Sequence, residues 1–203
     1  MDKLEMKFDK FALFEEKLMN CCVGFVDIVG SCKIITKLPK EMICPFYHIF
    51  LNEMSSIISE LNGVVVKNIG DSVLYYFPKT SETSERQAFA DSIECGMKMI
   101  EARHIVNSKL SERGLPPVSY RVSSDYGLVT LTKPDNSTED IFGSTVNLCS
   151  RLNKMAKPDT MVIGGDLHQI VKLFEEYRFS SISEYQNGLK LQYPVYSIKR
   201  CSI

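Results

Sequence analysis

The sequence predicts an α+β fold in which helices cover a mostly antiparallel sheet. Strand-like and helix-like segments interleave without regular βα repetition, and hairpin patterns recur along the chain. The 203 residues, 44% of them hydrophobic and 24% charged, are enough for one well-buried core and too few for two. We therefore predict an N-terminal helical segment over residues 1–20, followed by a single domain over residues 21–203.

The first half of the domain reads as a strand, a helix and a hairpin. The segment CCVGFVDIVGSC (residues 21–32) is a short apolar strand that ends in a glycine-containing turn. A helical period of apolar residues runs from Pro45 to Leu61, and Asn62-Gly63 is a good helix stop. The segment VVVKNIGDSVLYYF (residues 64–77) then predicts a β-hairpin with Gly70-Asp71 at its turn. The N-terminal helix is predicted from one apolar face: Leu4, Phe8, Phe11 and Leu18.

The second half continues the alternation. A second helix carries Phe89, Ile93 and Met97 on one face and is expected to end near Gly114, because Pro116-Pro117 cannot continue it. The segment VSYRVSSDYGLVTLT alternates like a hairpin, and residues 144–155 look helical. The segments TMVIGG and VYSIKR predict two final strands.

Charge and cysteine content restrict the class of protein. Lys plus Arg number 24 against 25 for Asp plus Glu, so no overall basic field indicates a nucleic-acid partner. Seven cysteines without a C-x-x-C pair, and three scattered histidines, favour reduced thiols over a disulfide framework or a zinc site. The charged start lacks the apolar run of a signal peptide, and no segment approaches the length of a membrane span. We expect a cytoplasmic protein with no membrane segment.

Charged residues interrupt two segments that otherwise read as buried strand. Lys67 and Asp71 flank the tip of the predicted hairpin, where a solvated turn is the simplest interpretation of either residue alone. Asp27 interrupts the first strand just before Gly30, whose turn offers backbone N–H groups to a phosphate. Two carboxylates at adjacent strand ends make an oxygen-rich site suited to Mg²⁺ or Mn²⁺.

A third group of polar residues lies in EDIFGSTVNLCSRLNK (residues 139–154). Asp140 precedes a glycine turn, and Asn147 and Arg151 lie one turn apart on the helix that follows. These two side chains could simply meet water, as most surface pairs do. The functional interpretation is an amide and a guanidinium directed at a ribose and a phosphate.

Four segments in order resemble the catalytic domain of class III nucleotidyl cyclases, the adenylate and guanylate cyclases. They are FVDIVGSC, KNIGDSVLYYF, YRVSSDYGLV and DIFGSTVNLCSRL, and the resemblance extends from about residue 21 to the end of the chain. It implies a ferredoxin-like nucleotide cyclase fold that acts as a head-to-tail homodimer, with active sites built across the interface.

The resemblance also implies roles for individual residues. Asp27 and Asp71 would hold two Mg²⁺ or Mn²⁺ ions together with the carbonyl of Ile28. Lys67 and Asp140 would recognise adenine. Asn147 would position the ribose, and Arg151 would stabilise the transition state. The remaining substrate contacts would come from the phosphate turn, namely Val29, Gly30, Ser31 and Cys32, and from Lys190 at the terminal phosphates.

The resemblance implies conversion of ATP to 3′,5′-cyclic AMP and pyrophosphate. Cys32 departs from the Thr or Ser that is usual in the family, and a thiol is a poor hydrogen-bond donor. Cys149 is expected to pack the helix rather than react. Three alternatives stay open: a guanylate cyclase, against which Lys67 argues, a pyrimidine-nucleotide cyclase, and a non-catalytic nucleotide-sensing dimer module.

Overall fold

The structure is a computed structural model that describes residues 15–133, 139–187 and 191–201. Within these ranges the chain forms eight strands and six α-helices, with one 3-10 turn at Pro78–Ser81. The strands are β1 (Glu15–Ile28), β2 (Val64–Ile69), β3 (Ser72–Phe77), β4 (Tyr120–Lys133), β5 (Asp140–Phe142), β6 (Thr160–Gly164), β7 (Tyr177–Asn187) and β8 (Leu191–Arg200). The helices are α1 (Ser31–Ile35), α2 (Lys40–Glu60), α3 (Arg86–Glu101), α4 (Arg103–Ser111), α5 (Ser144–Asn153) and α6 (Gly165–Val171).

The sheet confirms the predicted α+β class. Its strands run in the order β2-β3-β1-β4-β6-β8-β7, and β5 pairs with β4. The part β4-β1-β3-β2 is antiparallel throughout and is connected by helices in the ferredoxin-like manner. Among the described strands, β4 and β6 form the one parallel pair. No helix in these ranges is long and apolar enough to cross a membrane.

The two faces of the sheet are covered unequally. Successive side chains of a strand point to opposite faces, so Cys22 and Val26 of β1 join the core under α2, α3 and α4. Val23 and Phe25 join a smaller core on the other face, where α5 packs on β1 and β4. The smaller core leaves part of that face open beside α5.

The predicted hairpin and helix stop are confirmed. Gly70 has φ of 64° at the turn between β2 and β3, a left-handed conformation that glycine adopts without strain. Gly63 donates its N–H to the carbonyl of Ile58 at 2.9 Å and so closes the end of α2. The helix itself begins at Lys40, five residues before the predicted start at Pro45.

The predicted N-terminal helix is wrong for residues 15–20. These residues are the first part of β1, which pairs with β4 from Glu15–Lys133 to Ile28–Tyr120. Leu18 is accordingly an exposed strand residue. Pairing with a distant strand has overridden a local helical spacing of apolar residues. The predicted boundary at residue 21 falls inside β1, and Leu4, Phe8 and Phe11 lie outside the described residues.

Two further predictions need correction. Residues 118–132 do not form a hairpin, because β4 is one continuous strand in which Gly127 marks a close approach rather than a turn: a Cβ there would lie 2.6 Å from Thr145 Oγ1 of α5. The second predicted helix is interrupted at Ala102 and forms α3 and α4. The elements α1, β5, α6 and β7 have no counterpart among the predicted elements.

Asp125 ties the two parts of the sheet together. This β4 residue is 1% exposed, and its Oδ2 accepts a 2.7 Å hydrogen bond from the Tyr193 hydroxyl of β8. Its Oδ1 accepts from the N–H of Tyr126 at 2.9 Å and from that of Leu167 in α6 at 3.3 Å. Burial nevertheless raises the pKa of this carboxyl to about 6, because desolvation disfavours the charged form.

Asp125 should make stability depend on pH in a defined direction. A raised folded-state pKa means that the folded protein holds the proton more tightly than the unfolded chain. The stabilisation from this proton is complete below about pH 4 and is lost as the pH rises through about 6. Asp125→Asn removes this titration. Urea denaturation from pH 4 to 7 should show the free energy of unfolding of wild type falling relative to Asp125→Asn. The exposed Glu82→Gln is the control, and a constant wild-type-to-Asp125→Asn difference would contradict the assignment.

Candidate active site

The open side of the smaller core contains a groove along α5. One cavity of about 300 Å³ lies between β2, β5 and α5, and its lining includes Lys67, Phe142 and Asn147. A second cavity of about 110 Å³ surrounds Asp27. Both cavities are lined by Phe25, Ile69 and Ser150, so they adjoin. The groove of one chain thus brings together residues from the first strand, the hairpin and α5.

Asp27 lies at the end of β1 and contacts both neighbouring strands. Its Oδ1 accepts a 2.5 Å hydrogen bond from Ser72 Oγ of β3, and its Oδ2 lies 2.8 Å from the guanidinium of Arg121 in β4. Ser72 and Arg121 are the cross-strand partners of Asp27 in the two ladders. The carboxylate is therefore held by the sheet geometry in one orientation.

Asp71 and the predicted phosphate turn lie at the same end of the sheet. Asp71 directly precedes Ser72, the partner of Asp27. Burial raises the pKa of the Tyr47 phenol, and coulombic repulsion from Asp71 acts in the same direction. Residues 29–32 follow the end of β1 directly, so the hairpin tip and the phosphate turn leave the sheet at the same end.

The turn itself is anchored at both ends. The N–H of Val29 donates to the carbonyl of Ser119 at 2.8 Å, and Gly30 has φ of 71°, a left-handed conformation that suits glycine. Helix α1 starts directly after it, with Ser31 buried and Cys32 exposed. Ile28 is 1% exposed, and its side chain belongs to the larger core.

The donor set here fits a hard divalent cation. Two carboxylates and a backbone carbonyl are the oxygen ligands that Mg²⁺ and Mn²⁺ prefer. No group of three or more His, Cys, Asp or Glu that could hold a metal is found among the described residues. A cation bound by Asp27 and Asp71 would therefore complete its coordination with water or substrate oxygens, as Mg²⁺ does at phosphate sites.

Lys67 and Asp140 meet at the other end of the groove. Lys67 Nζ lies 2.6 Å from Asp140 Oδ2, and both side chains are partly exposed. Asp140 Oδ1 accepts the N–H of Ile141 at 2.8 Å, which fixes the second oxygen. The ammonium of Lys67 also lies 5.6 Å from the centre of the Phe142 ring. The structure thus brings the two predicted base-recognising residues into direct contact within one chain.

A second charged hydrogen bond lies beside this pair. The Tyr76 hydroxyl of β3 donates to Glu139 Oε2 at 2.6 Å, and Glu139 is the residue before Asp140. Burial and the adjacent carboxylate of Glu139 raise the pKa of Tyr76, so the phenol remains the donor. The sequence contains no local pattern that joins Tyr76 to Glu139.

Helix α5 presents Asn147 and Arg151 on its exposed side. A Cβ at Gly143, just before the helix, would lie 3.1 Å from the carbonyl of Leu128, so glycine permits α5 to start close to β4. Asn147 lines the larger of the two adjoining cavities. Cys149 is fully buried on the opposite side and donates to the carbonyl of Val23 at 3.3 Å, which confirms its predicted packing role.

The sequence interpretation missed Arg121, which contacts the groove residue Asp27, and Lys154, which lines the groove. Arg121 contacts Asp27, and its buried Nε has no hydrogen-bond partner among the described residues. A charge within a buried strand was the pattern that singled out Asp27, and the same pattern at Arg121 could have identified it. Lys154 lines the Asp27 cavity, and the adjacent Asn153 secures this end of α5 through Nδ2 bonds to two strand carbonyls. Lys190 lies outside the described residues.

Known protein families and proteins include relatives of this chain. The family described as "Adenylate and Guanylate cyclase catalytic domain" matches residues 13–199. A protein named adenylate cyclase from Streptomyces coelicolor is 26% identical over 141 residues, which cover 70% of this chain and 31% of that protein. The chain thus spans about a third of the length of such relatives.

Solved structures show the same fold. The adenylyl cyclase CyaB from P. aeruginosa superposes with a TM-score of 0.82 at 21% identity, covering 93% of this chain and 97% of that one. The guanylyl cyclase Cya2 superposes with a TM-score of 0.81 at 17% identity, covering 90% of this chain and 92% of that one. Proteins with both nucleotide preferences therefore share the architecture.

Proposed function

This chain belongs to the family of adenylate and guanylate cyclase catalytic domains, and from that premise we propose that it converts ATP to 3′,5′-cyclic AMP and pyrophosphate. The observation that carries the choice of ATP is the contact between Lys67 and Asp140 at 2.6 Å beside Asn147. The direct test is turnover of the purified protein with ATP, GTP, CTP and UTP in the presence of Mg²⁺ or Mn²⁺. Turnover preferring ATP is expected.

Selectivity for ATP would come from the hydrogen-bonding pattern of the base. The ammonium of Lys67 can only donate, which suits the unprotonated ring nitrogen of adenine, and the carboxylate of Asp140 accepts from its exocyclic amine. Guanine presents a carbonyl oxygen and a protonated ring nitrogen at the corresponding edge, so it would require an acceptor where Lys67 stands. The ion pair between the two side chains keeps them in place before substrate binds.

The phosphate end of the groove supplies oxygen ligands and positive charge. Asp27, Asp71 and the Ile28 carbonyl would hold two Mg²⁺ or Mn²⁺ ions, which when bound would acidify the ribose 3′-hydroxyl and neutralise the phosphates. Arg121 adds a fixed positive charge beside Asp27. The backbone of the turn Val29–Cys32, and Lys190, remain proposed phosphate contacts on the family resemblance.

Asn147 and Arg151 act on the reacting atoms in this proposal. The amide of Asn147 would orient the ribose so that the 3′-oxygen attacks the α-phosphorus in line with the departing pyrophosphate. The guanidinium of Arg151 would neutralise charge that grows on the phosphoryl oxygens. A preorganised contact of this kind contributes about 3–4 kcal/mol to transition-state stabilisation.

The proposed head-to-tail homodimer is supported by the exposed apolar residues of the groove. Ile69 and Phe142 line the groove and are 48% and 51% exposed. A second chain lying over the groove would remove this apolar surface from water. Each site would then take its metal-binding carboxylates from one protomer, and Asn147, Arg151 and the base-recognising Lys67 and Asp140 from its partner. The two ends of one chain's groove would therefore serve different sites. The free cysteines and the ATP requirement favour a cytoplasmic location.

Loss of a metal-binding carboxylate should abolish turnover without unfolding the protein. In Asp27→Asn the amide can still hydrogen-bond Arg121 and Ser72, and Asp71→Asn changes a turn residue, so both variants should fold while activity falls about 100-fold or more. Mn²⁺ affinity, measured by the electron paramagnetic resonance of free Mn²⁺, should fall with it. Asp91→Asn, outside the groove, is the control. Near-normal activity and Mn²⁺ binding in either groove variant would refute the assignment.

Reversing the base contacts should change the nucleotide preference. Lys67→Glu with Asp140→Cys removes both hydrogen bonds to adenine and introduces an acceptor for guanine, so ATP turnover should fall about 100-fold more than GTP turnover. The control is Lys98→Glu with Glu60→Cys, which breaks an exposed ion pair outside the groove and should leave the ATP-to-GTP ratio unchanged. Measured kcat/KM for both nucleotides decides the matter. An unchanged ATP-to-GTP ratio in the first variant would show that these residues do not recognise the base.

The shared site can be tested by mixing two inactive variants. Asp27→Asn and Arg151→Ala should each be nearly inactive alone. After exchange, half of the dimers are heterodimers, and each has one site with both lesions and one intact site, so activity should recover to about a quarter of wild type by symmetry. A mixture of Asp27→Asn and Asp71→Asn is the control and should stay inactive, because both lesions lie on the same side of each site. Failure to recover, although differently tagged chains copurify, would place the site within one chain.

A further inference from the structure

We propose that Tyr76 and Glu139 form a positioning pair that holds Asp140 against Lys67 and thereby sets the base selectivity of the site. The proposal rests on the proposed function, because it concerns the same base-recognising contact. It adds two residues that would touch neither the substrate nor a metal. They would act by fixing the position of Asp140, the first residue of β5.

Tyr76 is a rigid anchor for this contact. The residue is 4% exposed and belongs to the smaller core, and it is paired across the sheet with Val23 on one side and Val64 on the other. Its hydroxyl donates to Glu139 Oε2 at 2.6 Å. A bond from a buried phenol to a carboxylate is stronger than one between neutral groups and is directional.

Two side-chain hydrogen bonds connect the start of β5 to the β2–β3 hairpin. They hold Asp140, the first residue of β5, and Glu139, the residue before it. Tyr76 of β3 holds Glu139, and Lys67 of β2 holds Asp140. β5 is three residues long and pairs with β4 alone, from Phe142 to Asp140. The start of such a short strand has few backbone bonds to hold it, so the two side-chain bonds decide where Asp140 lies relative to Lys67.

Loss of the Tyr76 hydroxyl would have a specific consequence. Glu139 would become an unpaired carboxylate next to Asp140, whose own partner is the ammonium of Lys67 at 2.6 Å. Competition between Glu139 and Asp140 for Lys67 would disturb both the donor and the acceptor that recognise adenine. The proposed contacts of Asn147 with the ribose and of Asp27 with the metal would be unaffected. We therefore expect a loss of preference between bases rather than a general loss of affinity.

The chain offers a matched control in a second tyrosine–glutamate bond. The Tyr177 hydroxyl donates to Glu94 Oε2 at 2.7 Å, and Tyr177 is 9% exposed. This pair lies at a separate cavity of about 500 Å³ that is lined by residues of α3 and of the segment leading into β7. Tyr177→Phe removes the same kind of bond from a site that holds none of the groove residues.

The experiment measures equilibrium binding of 3′-deoxy-ATP and 3′-deoxy-GTP by calorimetry, since these analogues lack the attacking hydroxyl. In Tyr76→Phe, 3′-deoxy-ATP should bind about tenfold more weakly with 3′-deoxy-GTP little changed, the size expected for one charge-assisted hydrogen bond. Glu139→Ala should have the same effect, Glu139→Gln a smaller one, and the Tyr76→Phe, Glu139→Ala double variant no more than either alone. Tyr177→Phe should retain the wild-type ratio.

The possible results distinguish base recognition by Lys67 and Asp140 from the positioning role of Tyr76 and Glu139. Wild type that shows no preference for 3′-deoxy-ATP would refute the proposed base recognition itself. Wild type that prefers 3′-deoxy-ATP, with the same ratio in Tyr76→Phe and Glu139→Ala, would overturn the positioning role alone. An equal change in Tyr177→Phe would also overturn it, because the effect would then be a general one. Should Tyr76→Phe fail to fold, the partly exposed Glu139→Ala decides the question.

Discussion

The pairing of β1 with strands on both of its sides is the constraint on which the rest of the structure depends. β1 lies between β3 and β4, and the antiparallel ladder with β4 extends over the whole of the strand. A carboxylate at the end of such a central strand is costly unless both neighbours satisfy it. Asp27 meets that condition through Ser72 and Arg121, so one row across three strands fixes the acidic end of the groove.

The unequal covering of the sheet leaves Asp27 and Ser72 of this row at the edge of an open groove. Helices α2 to α4 bury one face, and the side chains there are apolar and enclosed. On the other face α5 covers only part of the sheet, so Phe25 is buried while Ile69 remains exposed beside it. The polar residues of the hairpin, β5 and α5 therefore face a common groove. One end of the groove is acidic at Asp27, and the other end holds the ion pair of Lys67 and Asp140, which we propose recognises the base of a site shared with a second chain.

Much of this candidate site could be predicted because each of its parts places charged or polar residues within a segment that is otherwise apolar. A charge within a buried strand drew attention to Asp27, and the hairpin turn placed Lys67 and Asp71 at a common tip. The helical period of α5 put Asn147 and Arg151 on one side. Arg121 is likewise a charged residue within a largely buried strand, but the alternation of its segment predicts a hairpin instead of the single strand β4.

The sequence by itself determined the α+β class, the hairpin and the polar side of α5, because these depend on residues close together in the chain. Only the tertiary structure decided that residues 15–20 extend β1, since that outcome depends on the distant β4. The same holds for the contact between Asp27 and Arg121, 94 residues apart, and that between Tyr76 and Glu139, 63 residues apart. Such bonds form where the sheet brings strands into register, and no periodicity within a short segment encodes which distant residue will lie opposite.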